Sequence, residues 1–340
     1  MNIDAMSLIK KYIILGFSIE VIAFNQDSDE FDVYDFGSIS HIPDEYDKRM
    51  YVARHGNSVK FIIPDDVSVT PDSSAPFAQF SRDGDNIEVI GGSGLIMTNE
   101  LFADIIADSM DLRRFDSSRI RTMRHMFRGT SLVSIDLSNF DTSKAWSLEG
   151  MFSGFGASEL DLSNFKTTEV INMDSMFCGC NIGKLNISSF DTGLVQEMGA
   201  MFEGSYIPKI DIRHFNTDAV TDMSEMFSGC KAIEILMCEI TSKILSKTTD
   251  MFNACEANNI KVVYKNCESL REAVAMFSSC KAKILDLTEF NLCKHTNIQD
   301  IFYGCKSQVI LSHGVLEDAY AEDLKGRINK DTSKKWWSNE

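Results

Sequence analysis

The chain has 340 residues, of which 44% are hydrophobic and 24% are charged. Its 33 Lys and Arg stand against 50 Asp and Glu, which gives a formal net charge of −17. This balance argues against binding to nucleic acid or to an anionic membrane, because both need a basic surface. It favours a basic partner, or cations, wherever the acids cluster.

The N-terminal region, residues 1–55, is predicted to form a cap. Lys10 and Lys11 precede an apolar run at residues 12–24, as in an export signal. Glu20 interrupts this run, the run is too short to span a bilayer, and no small-residue cleavage site follows it. We therefore expect no membrane insertion and a cytoplasmic protein, with the cell surface or a virion as alternative locations.

A short motif, Arg54-His55-Gly56, follows a strand-like run. It looks like the opening of the histidine phosphatases, in which the histidine takes up the phosphoryl group. That chemistry needs a second histidine and further arginines in one pocket, so the expected role is a strand that ends in a glycine turn. The alternative is an enzyme whose catalytic part lies in residues 1–100.

Residues 56–114 are predicted to be degenerate entry repeats. The runs 59–63 and 87–90 are rich in β-branched residues and end at Pro-Asp-Asp and Gly-Gly, as strands do. They lie about one repeat period apart. Terminal repeats of an array are usually atypical.

From there on, the dipeptide Met-Phe recurs every 25 residues without insertion or deletion. A fixed period of this length is typical of a solenoid, in which each repeat buries its apolar face on its neighbours. The row has Leu101-Phe102 before it and Ile301-Phe302 after it. Its members are Met126-Phe127, Met151-Phe152, Met176-Phe177, Met201-Phe202, Met226-Phe227, Met251-Phe252 and Met276-Phe277.

One repeat, residues 132–156, illustrates the prediction for each unit. Apolar residues at 132, 135 and 137 are typical of a half-buried strand. The run Asp-Thr-Ser at 141–143 is typical of a helix start, and residues 144–152 have helical apolar spacing. Gly154 would end that helix. The predicted fold class is therefore α/β, with repeats of one strand and one helix.

The repeat resembles the BspA-like leucine-rich repeat family over about residues 115–312. The resemblance rests on residues 132–143 (LVSIDLSNFDTS) and 223–230 (MSEMFSGC). It implies a leucine-rich-repeat-like solenoid with a parallel sheet on the concave face, and roles in adhesion and protein binding. Phe140 stands where ordinary leucine-rich repeats have Asn, and the pattern weakens at 234–245 and 259–270.

The residues that flank the strand leucines are predicted to face outward on the concave sheet and to bind a partner. The acidic members are either a solvated consensus or a strip for a basic partner, and the irregular members are either a specificity patch or repeat decay. The candidate binding residues are Asp136, Asp161, Asn186, Asp211, Arg213, Leu236, Cys238, Lys261 and Val263.

The nine cysteines are predicted to be free thiols, because their number is odd and they form no compact disulfide framework. Four of them repeat every 25 residues and should form a buried column: Cys230, Cys255, Cys280 and Cys305. Cys178-x-Cys180 has no further ligands at zinc spacing. We expect no metal site and no cofactor.

Residues 313–340 are predicted to form a C-terminal helical cap and tail, with Trp336-Trp337 either packed on the cap or used for docking. Together these features predict a non-enzymatic recognition scaffold that binds a protein or a glycan on the concave face. A structural or adhesin component of a surface or particle is the alternative, beside the enzyme named above.

Overall fold

The computed structural model describes residues 5–24, 31–35, 48–67, 75–265, 268–290, 292 and 295–311. The chain divides into two compact units, residues 1–169 and residues 170–340. The predicted cap and tail at 313–340 lie outside the described residues. Each unit is a β-solenoid, built of coils whose strands pair in parallel with the equivalent strands of neighbouring coils.

The first unit begins with a short helix and an antiparallel sheet whose strand order is β2-β1-β3-β4. Ile9 and Tyr12 of the helix pack on a buried cluster that includes Val21 and Ile62. The strand at 31–35 lies at the edge of this sheet. The elements are α1 (Ala5–Ile14), β1 (Ser18–Phe24), β2 (Phe31–Asp35), β3 (Lys48–His55) and β4 (Ser58–Ile63).

From β4 onward the pairing is parallel. The strands predicted at 59–63 and 87–90 are confirmed as β4 and β5, and they pair directly with each other. Met110 of β6 pairs with Ile135 of β7, a step of one repeat. After one 3₁₀ turn at Ala78–Phe80, the remaining strands of this unit are β5 (Asn86–Gly91), β6 (Ile106–Phe115), β7 (Ser131–Asp136) and β8 (Gly156–Asp161).

In the second unit, all the described strands except β9 lie in two separate parallel sheets. One sheet joins β10 to β11, and the other has the order β12-β13-β14-β15. The strands are β9 (Asn181–Asn186), β10 (Lys209–Asp211), β11 (Glu234–Leu236), β12 (Glu239–Ile240), β13 (Asn259–Tyr264), β14 (Ile284–Glu289) and β15 (Gln308–Leu311).

The prediction of one helix in every repeat is wrong. Among the described residues, α1 is the only α-helix, and the Met-Phe segments form turns. The residue before each Met of the row, or before Leu101 and Ile301 at its ends, has a positive φ of 50–59°, a conformation that a right-handed helix cannot contain. These residues are Glu100, His125, Gly150, Ser175, Ala200, Glu225, Asp250, Ala275 and Asp300.

Hydrogen bonds between coils replace the expected helical bonds. The N–H of Phe127 donates to the carbonyl of Met151 at 2.9 Å, and the N–H of Phe227 donates to that of Met251 at 2.8 Å. The intervening N–H groups close turns within the coil, as from Met226 to Met223 at 3.4 Å. The Met-Phe segments therefore stack on one another as the strands do.

The Met and Phe columns fill the core, as predicted. Phe202, Phe227 and Phe252 are fully buried, and their ring centroids are 5.4 and 5.3 Å apart with nearly parallel planes. Burial of a Phe side chain contributes about 1.5–3 kcal/mol, and each stacked pair adds about 0.5–1.5 kcal/mol. Each coil therefore depends on its neighbours to bury its aromatic side chain.

Ala200 provides a test that separates this fold from a helix. It has a φ of +50°, so Ala200→Gly should relieve about 1–2 kcal/mol of backbone strain. Greater freedom of the unfolded chain offsets about 0.4–1 kcal/mol of that. We expect a net stabilisation of up to about 1 kcal/mol in urea unfolding, whereas a helix would lose about 1 kcal/mol.

The matched control is Ala219→Gly, in the same unit, at a half-buried turn residue without a positive φ. It should destabilise the protein by about 0.5–1 kcal/mol. Loss of stability in both variants would contradict the turn conformation at Ala200.

Candidate functional site

The predicted acidic column ends the strands. In five coils an Oδ1 atom accepts a hydrogen bond from the backbone N–H two residues further on, which forms an Asx turn. The distances are 3.0 Å at Asp136, 3.0 Å at Asp161, 3.2 Å at Asn186, 3.3 Å at Asp211 and 3.0 Å at Asp286. The geometry explains why only Asp or Asn stands at these five positions.

Two of these carboxylates are also ion-paired. Asp136 lies 3.3 Å from Arg113, and Asp211 lies 2.6 Å from Arg213. The hydrogen bonds from Arg213 hold the pKa of Asp211 below its usual value. Among the described residues, no three His, Cys, Asp or Glu side chains converge as metal ligands would. A cation strip along this column gains no support from the geometry.

A cleft of about 550 Å³ opens where the sheet of the second unit divides. It lies in the irregular coils, between the short strand β11 and the longer strand β13. Five of the nine candidate residues line it: Arg213, Leu236, Cys238, Lys261 and Val263. Asn186 and Asp211 line a smaller cleft of about 310 Å³. Asp136 and Asp161 line neither of these clefts.

The floor of the large cleft differs from the prediction that all the candidate residues face outward. Cys238 is 4% exposed and Val263 is 9% exposed, so the prediction that they face outward is wrong. In β13 the cause is an irregularity between Lys261 and Val263, because it turns consecutive residues inward. The exposed apolar side chain at the cleft is Ile233, with 62% exposure.

Sequence reasoning missed Ile233 because it lies one residue before the outward positions that were considered. Its own column, which includes Val133, Gly183 and Pro208, has no constant residue type. The visible signal was the loss of the repeat consensus in residues 234–245, immediately after Ile233.

The rim of the cleft carries two positive and two negative side chains, and each is ion-paired. Glu234 pairs with Lys209 at 3.0 Å, and Lys261 pairs with Glu289 at 2.7 Å. The other two pairs are Arg213 with Asp211 at 2.6 Å and Glu239 with Lys265 at 2.8 Å. In a chain with a net charge of −17, the rim is therefore locally balanced, and its pairs lie at the surface.

The Arg54-His55-Gly56 motif has a structural explanation. Both Arg54 Nη atoms bind the fully buried carboxylate of Asp85, at 2.8 and 2.9 Å. His55 lies 3.3 Å through Nδ1 from the carbonyl of Leu15, and its ring packs edge-to-face on Phe17. Gly56 has a φ of +58° in the turn between β3 and β4. His55 thus holds β3 to the residues that follow α1, and Arg54 holds it to Asp85, just before β5.

Six arginines in residues 113–128 were not singled out in the sequence, although the chain is acidic. They lie at different positions around the coil, and several of them form ion pairs with acidic residues of adjacent coils. Arg114 pairs with Glu88 at 3.1 Å, and Arg124 pairs with Glu149 at 3.1 Å. This part of the chain balances charge between coils of the first unit.

Carboxylates gather at the Met-Phe turns of the second unit. Burial raises the pKa of Glu225, and the nearby charges of Glu203, Asp250, Asp174 and Asp222 raise it further. The turn side of this unit therefore carries a concentrated negative potential.

The chain belongs to the family described as "Mycoplasma protein of unknown function, DUF285", whose model matches residues 97–210 and 207–312. These matches cover more than half of the chain. No curated protein and no solved structure matches it. The BspA-like resemblance stays a prediction. In the described part of the chain, no helix is long and apolar enough to cross a membrane.

The Asx turns make a prediction at Asp286. Its Oδ1 accepts bonds from the N–H of Thr288 at 3.0 Å and from the Thr288 hydroxyl at 2.7 Å. Asp286→Ala should cost about 1 kcal/mol in urea unfolding, since these donors lose their acceptor. Asp286→Asn should be nearly neutral, because Asn186 makes the same two bonds to Ser188.

An equal loss in both variants would contradict this interpretation, since it would assign the role to the charge rather than to the acceptor oxygen.

Proposed function

We propose that the protein is a non-enzymatic recognition scaffold that binds a protein partner at the cleft of its second unit. The observation that carries the proposal is the division of the parallel sheet around that cleft. In five other coils the strand face presents an Asp or Asn side chain held in an Asx turn. At the cleft it presents an exposed Ile233, a half-buried Leu236 and an apolar floor.

The dimensions suit an anchor side chain from a partner. A volume of about 550 Å³ lies within the range of about 300–1,000 Å³ that is typical of binding pockets. Protein interfaces commonly concentrate their energy where one large apolar side chain fills such a pocket. The surrounding ion pairs would form the polar rim that such interfaces have.

The lining favours a protein over a glycan. Sugars are usually held by an aromatic side chain that stacks on the ring, together with polar groups. Among the described residues that line the cleft, none is aromatic. The balanced rim, with Arg213 and Lys261 beside Glu234 and Glu239, would select a partner by its charge pattern rather than by its net charge.

The BspA-like resemblance supports an adhesive role at a surface as the alternative. Both roles use the same kind of protein contact, and a cytoplasmic location is proposed for the scaffold. No step of an enzymatic reaction is proposed.

A peptide selection tests the cleft directly. A phage-displayed random peptide library is selected on the wild-type protein, and the affinity of each enriched peptide is measured by fluorescence anisotropy. Ile233→Glu should weaken binding at least about tenfold, since it puts a charge into the apolar centre of the contact.

The matched control is Val133→Glu. Val133 has the same repeat position as Ile233 and similar exposure, 65% against 62%, but it does not line the cleft. It should change the affinity less than about twofold, since it lies outside the contact. Peptides that bind Ile233→Glu as well as the wild type, or a selection that enriches none, would overturn the proposal.

A further inference from the structure

Four cysteines of the second unit occupy the same position in successive coils: Cys230, Cys255, Cys280 and Cys305. All four are free thiols, as predicted. The first three are fully buried, whereas Cys305 is partly exposed. The column therefore meets solvent at one end. Cys267 and Cys293 lie outside the described residues.

The coils hold equivalent side chains close together. Ser205 and Cys230, at this position in adjacent coils, have Oγ and Sγ 3.5 Å apart. Near Cys305, the stacked rings of Phe277 and Phe302 have centroids 5.4 Å apart, which reports the coil spacing. Disulfides accept Cα separations of about 4.4–6.8 Å, so neighbours in this column are within reach of one another.

The surroundings of Cys280 stabilise a negative charge on its sulfur. The S–H of Cys305 donates to Cys280, and this is the largest effect that lowers the pKa of Cys280, to about 6. The Ser307 hydroxyl also donates to Sγ, at 3.4 Å, and the backbone N–H groups of Lys281 and Ala282 assist. The same contact raises the pKa of Cys305. These effects favour a Cys280 thiolate that accepts the S–H of Cys305. When Cys280 is protonated, its own S–H donates to the carbonyl of Cys255 at 3.6 Å.

We propose that Cys280 and Cys305 are an oxidisable dithiol pair, which hydrogen peroxide converts into a disulfide that ties two successive coils together. Cys305 meets the peroxide because its side chain is partly exposed. Cys280 accepts the proton of Cys305 and then acts as the resolving nucleophile. This redox role is independent of the proposed binding function.

The reaction balances in two steps. In the first step the sulfur of Cys305 attacks one oxygen of the peroxide, and the proton of Cys305 passes to Cys280. The O–O bond breaks and releases hydroxide. This hydroxide takes the proton from Cys280 and becomes water. Cys305 is then a sulfenic acid and Cys280 a thiolate. Cys280 next attacks the Cys305 sulfur, which forms the S–S bond and releases hydroxide. In total, the Cys305 thiol and the Cys280 thiolate together lose two electrons, and one peroxide gains them and becomes one water and one hydroxide.

The chain contains its own control pair. Cys230 and Cys255 have the same separation of 25 residues, but both are 0% exposed. If access through an exposed member decides the chemistry, this second pair stays reduced under conditions that oxidise the first. Cys178 is partly exposed and has no thiol 25 residues before or after it. Its oxidation therefore measures the general reactivity of an exposed thiol toward peroxide.

The test treats the reduced full-length protein with hydrogen peroxide, alkylates the remaining thiols after denaturation, and maps the peptides by mass spectrometry. We expect a Cys280–Cys305 cross-linked peptide that has lost two hydrogens, while Cys230 and Cys255 are recovered as alkylated thiols. Pairing of Cys305 with Cys267 or Cys293, an unreacted Cys305, or equally fast cross-linking of Cys230 with Cys255 would overturn the proposal.

A second measurement isolates the resolving step. Cys280→Ser should fold, because Ser205 occupies the same position in its own coil. In this variant the Cys305 sulfenic acid cannot be resolved by Cys280, so its labelling by dimedone should rise about tenfold over wild type. Cys178→Ser should leave the labelling of Cys305 unchanged. Equal labelling of Cys305 in the wild type and Cys280→Ser would show that Cys280 does not resolve it.

Discussion

The hydrogen bond from one coil to the next is the interaction on which both units depend. It joins strands, as between β13 and β14, and it also joins turns, as from Phe227 to Met251. Because these bonds repeat with the coil, equivalent side chains stack directly on one another. The aromatic columns, the Asx turns and the cysteine column all follow from that registry, and no coil can bury its Phe without a neighbour.

The same registry explains where function can arise. A coil that keeps the repeat has the same residue types as its neighbours at the buried and Asx-turn positions, so the end of its strand varies little. Where residues 234–245 leave the repeat, the strand ladder divides and a cleft appears beside Ile233. At this point an exposed Ile233 stands beside an apolar floor. The sheet loses its regular strand pairing at the cleft, and this loss creates a surface suitable for recognition.

Much of the architecture can be read from the sequence. The 25-residue period, the parallel strands and the buried Met and Phe columns follow from spacing alone. The helices were wrongly predicted because stacked turns also place apolar residues three and four apart. The feature that excludes a helix is a positive φ, and it falls on Ser175, Ala200 and Glu225, whose residue types give no sign of it. Gly150 is the strong signal in that column, and His125, Asp250 and Asp300 are weaker ones because Asp and His adopt a positive φ more often than most residues.

Part of the candidate site could be predicted from the sequence. Loss of the consensus marked the irregular coils, and Arg213, Leu236 and Lys261 do line the cleft. The burial of Cys238 and Val263 depends on how the strands shift in this region, which a fixed period cannot describe. The period alone places Cys280 and Cys305 next to each other in the column, but the exposure of Cys305 can be read only from the structure.

The most direct test of the stacked-coil account is an NMR measurement of through-hydrogen-bond coupling at the amide of Phe227. The account predicts a coupling between the Phe227 nitrogen and the carbonyl carbon of Met251, in the next coil, because these groups are hydrogen-bonded at 2.8 Å. A coupling to the carbonyl carbon of Met223, four residues earlier, would instead indicate an α-helix. That result would contradict the account.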